Sequence, residues 1–257
     1  MVYNLIIGTQ IIVLDEVDST NDYAKTNFKQ LKDGAVIMAK TQTHGRGRLC
    51  RNWVSKEDGN LYSSFILKDF SWISVPTHLP ILCAVVLRRT FVSVVGSDGA
   101  FLLKWPNDVY YGDGKISGIL IESDVGGIVV GFGVNISKAP QVPNKKTSCL
   151  AQILDKKNMP SPQEFLSIFI KLFNKAVVQY EELGIDAFNE EWEKYCRHLN
   201  KKVAINEGLD DNTPLKEAVF LGLAKDGGAR LKVDGEAKER VVYYGELVVG
   251  ERNARNL

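Results

Sequence analysis

The residues best equipped for chemistry lie in one glycine-broken run, Gln42 through Trp53, which reads QTHGRGRLCRNW. Between Lys40 and Arg51 the chain carries four basic residues, Lys40, Arg46, Arg48 and Arg51, and no acidic one. Gly45 and Gly47 alternate with Arg46 and Arg48. Glycine lets a backbone turn tightly and approach a ligand closely. Arginine forks hold carboxylates and phosphates through paired, charge-assisted hydrogen bonds. Trp53 adds a flat apolar face on which an aromatic base can stack. On its own this run fits three descriptions equally well: an anion-binding loop for a nucleotide and a carboxylic acid, a solvated basic turn, and a patch that tracks nucleic-acid phosphates.

A second block, residues 101–137, reads FLLKWPNDVYYGDGKISGILIESDVGGIVVGFGVNIS. Lys115 follows the tight Gly112-Asp113-Gly114 connection directly, which by itself also describes a surface lysine after a turn. Gly131 and Gly133 interrupt an apolar strand, and interior strand glycines often mark a close approach to the backbone. Ser19 and Asp22 have capping-box spacing, so Ser19, Thr20 and Asn21 sit where a strand hands over to a helix. Free N–H groups at a helix start suit polar ligands, although capping alone accounts for Ser19. GDGKIS is not a P-loop, because no Ser or Thr follows the lysine and Val109 stands at the first glycine position. No G-x-G-x-x-G follows a strand.

Hydrophobic patterning supplies the elements that must carry these residues. Strands are predicted at 11–14, 35–40, 62–67 and 101–105, with turn chemistry at 106–108 and a hairpin of strands 116–122 and 128–136. Helices are predicted from Ser19 through Phe28, over the buried apolar run 75–95, from the Ser161 cap onward, and over 185–198. The acidic run 181–193 reads as a solvated face. From about residue 200 short strands alternate with breakers, at 202–206, 215–223, 229–233 and 239–249, which suggests a small β-barrel.

The chain of 257 residues, 45% hydrophobic and 25% charged, suits one large domain with a small one beside it. A net charge of +1 leaves no global field for DNA or an acidic membrane, so neither is expected as a partner. Four scattered cysteines without a CxxC pair argue against a zinc or thioredoxin-type site and favour free thiols. The N-terminus lacks the basic start and cleavage site of a signal peptide, and a cytoplasmic protein is expected.

Taken together, GRGR at 45–48, Arg51-Asn52-Trp53, KWPND at 104–108, Lys115 seven residues beyond Asp108, GFGVN at 131–135 and DSTN at 18–21 resemble a biotin–protein ligase. The resemblance runs from about residue 14 to 136 and more loosely to the C-terminal strands. GRGR alone is weakly specific; KWPND and the spaced GKISGIL make the set specific. The resemblance implies an α+β protein: a mixed β-sheet catalytic domain with packed helices, of the class II synthetase-like biotinyl/lipoyl ligase fold, over residues 1–199, and an SH3-like β-barrel over 200–257. It implies a two-step reaction. Biotin and Mg2+-bound ATP give biotinyl-5′-AMP and pyrophosphate, and biotin then passes to a lysine of a carboxylase's biotin carboxyl carrier domain.

By match to the family, Lys115 and Arg48 are the catalytic pair. Ser19, Thr20, Asn21, Gln42, Gly45, Arg46, Gly47, Arg48, Lys115 and Gly118 bind biotin. Arg51, Trp53, Asn107, Lys115 and Asn135 surround ATP. Lys104 and Asp108 carry no assigned role beyond supporting the pocket. No protein metal site is implied, since magnesium is held mainly by phosphates and water. A homodimer through an exposed sheet edge is a further possibility. Cys50 departs from the family's glycine in GRGRxGR, and the ligase-like pattern starts too early for a preceding DNA-binding domain, so a ligase without repressor activity is expected. The related lipoate–protein ligase is the nearest rival, and KWPND with Trp53 argues against it. A nucleic-acid-binding module is the rival of another kind.

Overall fold

Strand-forming runs in the first half of the chain assemble into one sheet whose middle is covered on both faces. A computed structural model describes residues 5–49, 51–55, 59–98, 101–124, 126–207 and 214–248. Cys50, the unexplained position of the arginine loop, lies outside them. The elements in chain order are β1 (Gln10–Val17), α1 (Thr20–Thr26), β2 (Ala35–Gln42), β3 (Leu61–Leu67), α2 (His78–Val95), β4 (Phe101–Lys104), β5 (Asp108–Tyr111), β6 (Gly114–Asp124) and β7 (Gly127–Val134). β1 and β2 are parallel, and the remaining pairs of the order β1-β2-β3-β7-β6-β5-β4 are antiparallel. Every residue of β3 and β7 is buried, as central strands under two layers must be. The larger apolar cluster lies beneath α2 and α3 (Pro162–Leu183), and a smaller one, with Ala24, Ile37, Ile66 and Val129, lies beneath α1.

α3 starts as its sequence dictates, with Ser161 and Glu164 forming a reciprocal capping box and proline at the first turn. α2 is long and apolar enough to cross a membrane, yet 67% of it is buried inside the fold, so it is a core helix.

Several expectations need correction. The turn at 106–108 leads into a strand, β5, which pairs with both β4 and β6. α1 ends at Thr26. The helix expected over 185–198 stops at Lys194, as α4 (Asp186–Lys194). The chain beyond it pairs with the free edge of β4: Leu103 donates to the Tyr195 carbonyl at 2.8 Å, and Arg197 donates to that of Leu103 at 3.0 Å. Those sheet bonds satisfy the backbone in place of another helical turn. The acidic run is not simply solvated. Glu191 accepts from Arg89 at 2.6 Å, and Glu193 accepts from the backbone of Leu223 at 2.6 Å.

The C-terminal strands are β8 (Lys202–Asn206), β9 (Lys216–Leu223), β10 (Ala229–Val233), β11 (Arg240–Val242) and β12 (Glu246–Val248). They form a five-stranded antiparallel sheet, β11-β10-β9-β8-β12, of SH3-like type. The last run, read as one strand, is broken between β11 and β12 at Gly245, whose φ of +105° only glycine adopts readily. Phe220, Val203 and Leu231 belong to the same core as Trp192 and Phe188. Polar contacts reinforce that docking: Trp105 donates to the Gly227 carbonyl at 3.3 Å, and Thr77 to that of Asp226 at 2.5 Å. His198 is fully buried against Phe220 and Trp192, and burial pushes its pKa down to about 3, which keeps it neutral.

Candidate functional site

A cavity of about 670 Å3 opens over β6 and β7, walled by the helix start at Ser19, the arginine loop, the KWPND turn and β12. Its floor is glycine. Gly131 and Gly133 are two residues apart on β7 and so present the same face, about 7 Å apart along the strand. A side chain at Gly131 would collide with Asn21, and one at Gly133 with the Trp53 ring. Gly118, paired with Gly133 across the sheet, lies beneath Lys115 and Trp53. Three glycines thus admit three functional side chains to the floor.

One end is uncharged and densely hydrogen-bonded. Gln42 accepts from the Thr20 backbone at 2.8 Å and donates to Ser55 at 2.8 Å. The Ser64 hydroxyl lies 2.6 Å from Asn21 Oδ1 and 2.7 Å from Thr20 Oγ1. Ser19, Thr20, Asn21 and Gln42 are all buried; this network orients the last three, and Ser19 accepts from the Asp22 backbone as the helix cap. Asn21 donates to Glu122 at 2.8 Å, and Arg46 donates to Glu122 and Asp22 at 2.7 Å each. Burial raises the Glu122 pKa, but bonds from Asn21 and Lys25 and the charge of Arg46 outweigh it and hold the carboxyl below its usual range. One terminal nitrogen of Arg46 thus ties the loop to α1 and β6, while its buried Nε has no hydrogen-bond partner among the described residues.

The centre is cationic. Lys115 Nζ lies 2.6 Å from Asp108 Oδ1 and 5.2 Å from the Trp53 ring. Arg48 donates to the Gly245 carbonyl at 2.8 Å and to Asn107 at 3.5 Å. Burial lowers its pKa, although guanidinium stays charged. Asn107 also donates to the Ile119 carbonyl. Asn135 donates to the Lys115 and Ser148 carbonyls at 3.3 and 3.0 Å, leaving its buried Oδ1 without a partner among the described residues.

All the residues expected from the sequence line this cavity except Gly45. A side chain at Gly45 would press on Ser55, Gln42 Nε2 and the Trp53 carbonyl, so its place is in shaping the loop. Leu49 has φ of +54°, a left-handed conformation uncommon for a bulky residue, within that same loop.

Sequence reasoning missed Glu246. This barrel residue reaches the cavity, 2.6 Å from Arg51 and 3.7 Å from Lys104. Burial raises its pKa, but Arg51, Lys104 and Lys145 together bring it to about 2. Arg197 and Tyr110 were missed too. Only Glu122 had a signal, as an acid closing the apolar run 119–121.

A mixed sheet that sets a neutral hydrogen-bonding pocket beside clustered cations and an aromatic ring defines a class: enzymes that activate a carboxylic acid with a nucleotide. The model of the biotin/lipoate A/B protein ligase family matches residues 13–138. The chain is 29% identical over 246 residues to the bifunctional ligase/repressor BirA of Escherichia coli, covering 90% of this chain and 72% of that protein. It is 26% identical to the biotin–[acetyl-CoA-carboxylase] ligase of Paracoccus denitrificans, covering 93% of this chain and 100% of that one. Among solved structures, the Aquifex aeolicus biotin protein ligase in complex with biotin and ATP superposes with a TM-score of 0.77 at 28% identity, covering 93% and 97% of the two chains. The family model, the curated relatives and the solved structures all indicate a biotin protein ligase.

Proposed function

We propose that this chain joins biotin to a protein lysine in two steps inside the one cavity. The observation that carries the reading is the division of that cavity into a neutral, prearranged end and a cationic centre over a glycine floor. Ser19, Thr20, Asn21 and Gln42 suit the uncharged ureido head of biotin, which needs fixed donors and acceptors. The floor then leads its carboxylate to Lys115 and Arg48.

In the first step a biotin carboxylate oxygen bonds to the α-phosphorus of ATP. The bond from that phosphorus to the bridging oxygen breaks, and its electron pair leaves with pyrophosphate. Two anions must meet, and Lys115 and Arg48 offset their repulsion and the charge developing between them. Trp53, Asn107, Asn135 and Arg51 surround the nucleotide. In the second step an acceptor lysine amine attacks the biotinyl carbon, AMP departs with the bonding pair, and the amine loses a proton.

Magnesium would arrive with ATP, held by phosphate oxygens and water. The described residues hold no cluster of three or more His, Cys, Asp or Glu side chains placed for a metal. The acceptor is a biotin carboxyl carrier domain of a carboxylase. Residues 1–199 act as the catalytic unit and 200–257 as the barrel that closes its rim. β1 is a sheet edge with Ile11 and Val13 half exposed, a surface on which a second copy could pair. Free Cys83, Cys149 and Cys196 suit a cytoplasmic setting.

Incubation with biotin, Mg·ATP and a carboxyl-carrier domain, followed by mass measurement of the acceptor, tests the reading. Mass gain with biotin is expected. Gain with lipoate and none with biotin would overturn it.

A further inference from the structure

The basic residues of the cavity differ in how well they are paired. Arg46 holds two carboxylates at 2.7 Å through one terminal nitrogen. Lys115 has Asp108 at 2.6 Å, and Arg51 has Glu246 at 2.6 Å. Two other cations of the same cavity are starved. Arg197 is 17% exposed along its side chain, and among the described residues its one hydrogen-bond acceptor is Asp113, at 3.5 Å. That carboxylate is itself 70% exposed. Lys104 is 11% exposed, and its nearest carboxylate, Glu246, is 3.7 Å away, beyond hydrogen-bond distance.

Guanidinium offers five N–H donors and ammonium three. Few of those donors have a protein acceptor here, and burial lowers the pKa of Lys104. The two cations share one neighbourhood. Arg197 stacks 4.2 Å over the Tyr110 ring, and Lys104 Nζ is 6.0 Å from the same ring. The fold holds them there rigidly, because residues 195–197 are hydrogen-bonded to the edge of β4, the strand that ends in Lys104. A rigid pair of cations without close carboxylates, lining the same nucleotide-sized cavity as Lys115, is a preformed site for a multiply charged phosphate group.

We propose that Arg197 and Lys104 bind the β- and γ-phosphates of ATP and hold pyrophosphate as it leaves. The assignment rests on the ligase reading above. As the bond from the α-phosphorus to the bridging oxygen breaks, negative charge builds on the departing diphosphate, and these two cations would offset it. Glu246, 3.7 Å from Lys104, offsets part of that cation's charge.

The test separates the nucleotide's phosphates from the rest of the reaction. In biotin-dependent ATP–pyrophosphate exchange, Arg197→Gln should raise the KM for ATP and weaken pyrophosphate inhibition by about 10- to 100-fold, the loss of one charged hydrogen-bonding partner. Arg197→Lys should recover much of that loss. The KM for biotin and the transfer of biotin from presynthesised biotinyl-5′-AMP should stay within about twofold of wild type. Unchanged ATP and pyrophosphate constants would overturn the proposal. So would equal losses in every step, which mark Arg197 as a prop for Tyr110. Should Arg197→Gln fail to fold, Lys104→Gln carries the same pair of expectations. Direct titration of the wild-type enzyme with inorganic pyrophosphate, without biotin, must also show binding that weakens with salt; no binding overturns the assignment. Absence of biotin-dependent exchange in the wild type would instead strike the ligase reading and leave the titration to judge the phosphate site.

Discussion

Glu246→Gln tests whether the barrel is coupled to the arginine loop. Its carboxylate bonds Arg51 at 2.6 Å, with the two side chains 24% and 26% exposed. A charge-assisted bond of this kind contributes about 1.5–3 kcal/mol when sheltered, and surface pairs contribute about 1 kcal/mol or less. Partial exposure places the Arg51–Glu246 coupling at about 1–2 kcal/mol. For a chain of this size that corresponds to a Tm lower by about 2–8 °C. The assay is a double-mutant cycle of Arg51→Gln and Glu246→Gln by thermal and urea unfolding at neutral pH. The pH dependence has a definite sign. The folded carboxyl titrates near 2 against an ordinary 4.5, so its stabilisation is complete above about pH 4.5 and fades as pH falls toward 2. The difference between wild type and Glu246→Gln should therefore be flat from roughly pH 6 to 9. A coupling below about 0.3 kcal/mol, or a difference that grows as pH falls through 5, would refute the reasoning.

Lys115→Ala should slow adenylate formation by about 100- to 1,000-fold in single-turnover assays, as loss of a charge-stabilising donor does, while the melting temperature changes little. Turnover equal to wild type would remove Lys115 from the chemistry. Arg48→Ala should let biotinyl-5′-AMP escape, raising adenylate in a filtrate by about tenfold through loss of a charged bond. Equal retention in mutant and wild type counts against that role. Gly131→Ala drives a methyl into Asn21, which bonds Glu122 and lies 2.6 Å from Ser64. Overpacking of about 1–3 kcal/mol at that point should raise the KM for biotin by about 5- to 150-fold, with the KM for ATP moved far less. A KM for biotin within error of wild type would mean that Asn21 does not face the ureido ring.

Much of the site was legible because its parts are local. The Ser19 cap, the two-residue spacing of Gly131 and Gly133, and the alternation of glycine and arginine each follow from dihedral preference or strand period. Lys115 was legible through its motif, since nothing in a lone lysine after a turn marks it as special. β5 was hidden because a four-residue strand beside a proline turn carries no periodicity. The end of α4 was hidden because hydrogen bonds to β4, far off in sequence, decide it. The pairing of Arg46 with Asp22 and Glu122 was hidden because it depends on a helix and a strand that meet only in the fold.

The sequence by itself determined the family, the fold class, the glycine floor and the identity of the charged groups, because residue type and short spacing fix local backbone geometry. Tertiary structure decided which cations are already paired and which remain open. Arg46, Arg51, Lys104 and Arg197 are alike as basic side chains, and long-range packing alone gives the first two close carboxylates and leaves the last two short of them. It also decided that a barrel residue, Glu246, lines the same cavity as the arginine loop. Ion pairing depends on distances of a few ångströms between segments up to 195 residues apart, and no pattern along the chain encodes such distances.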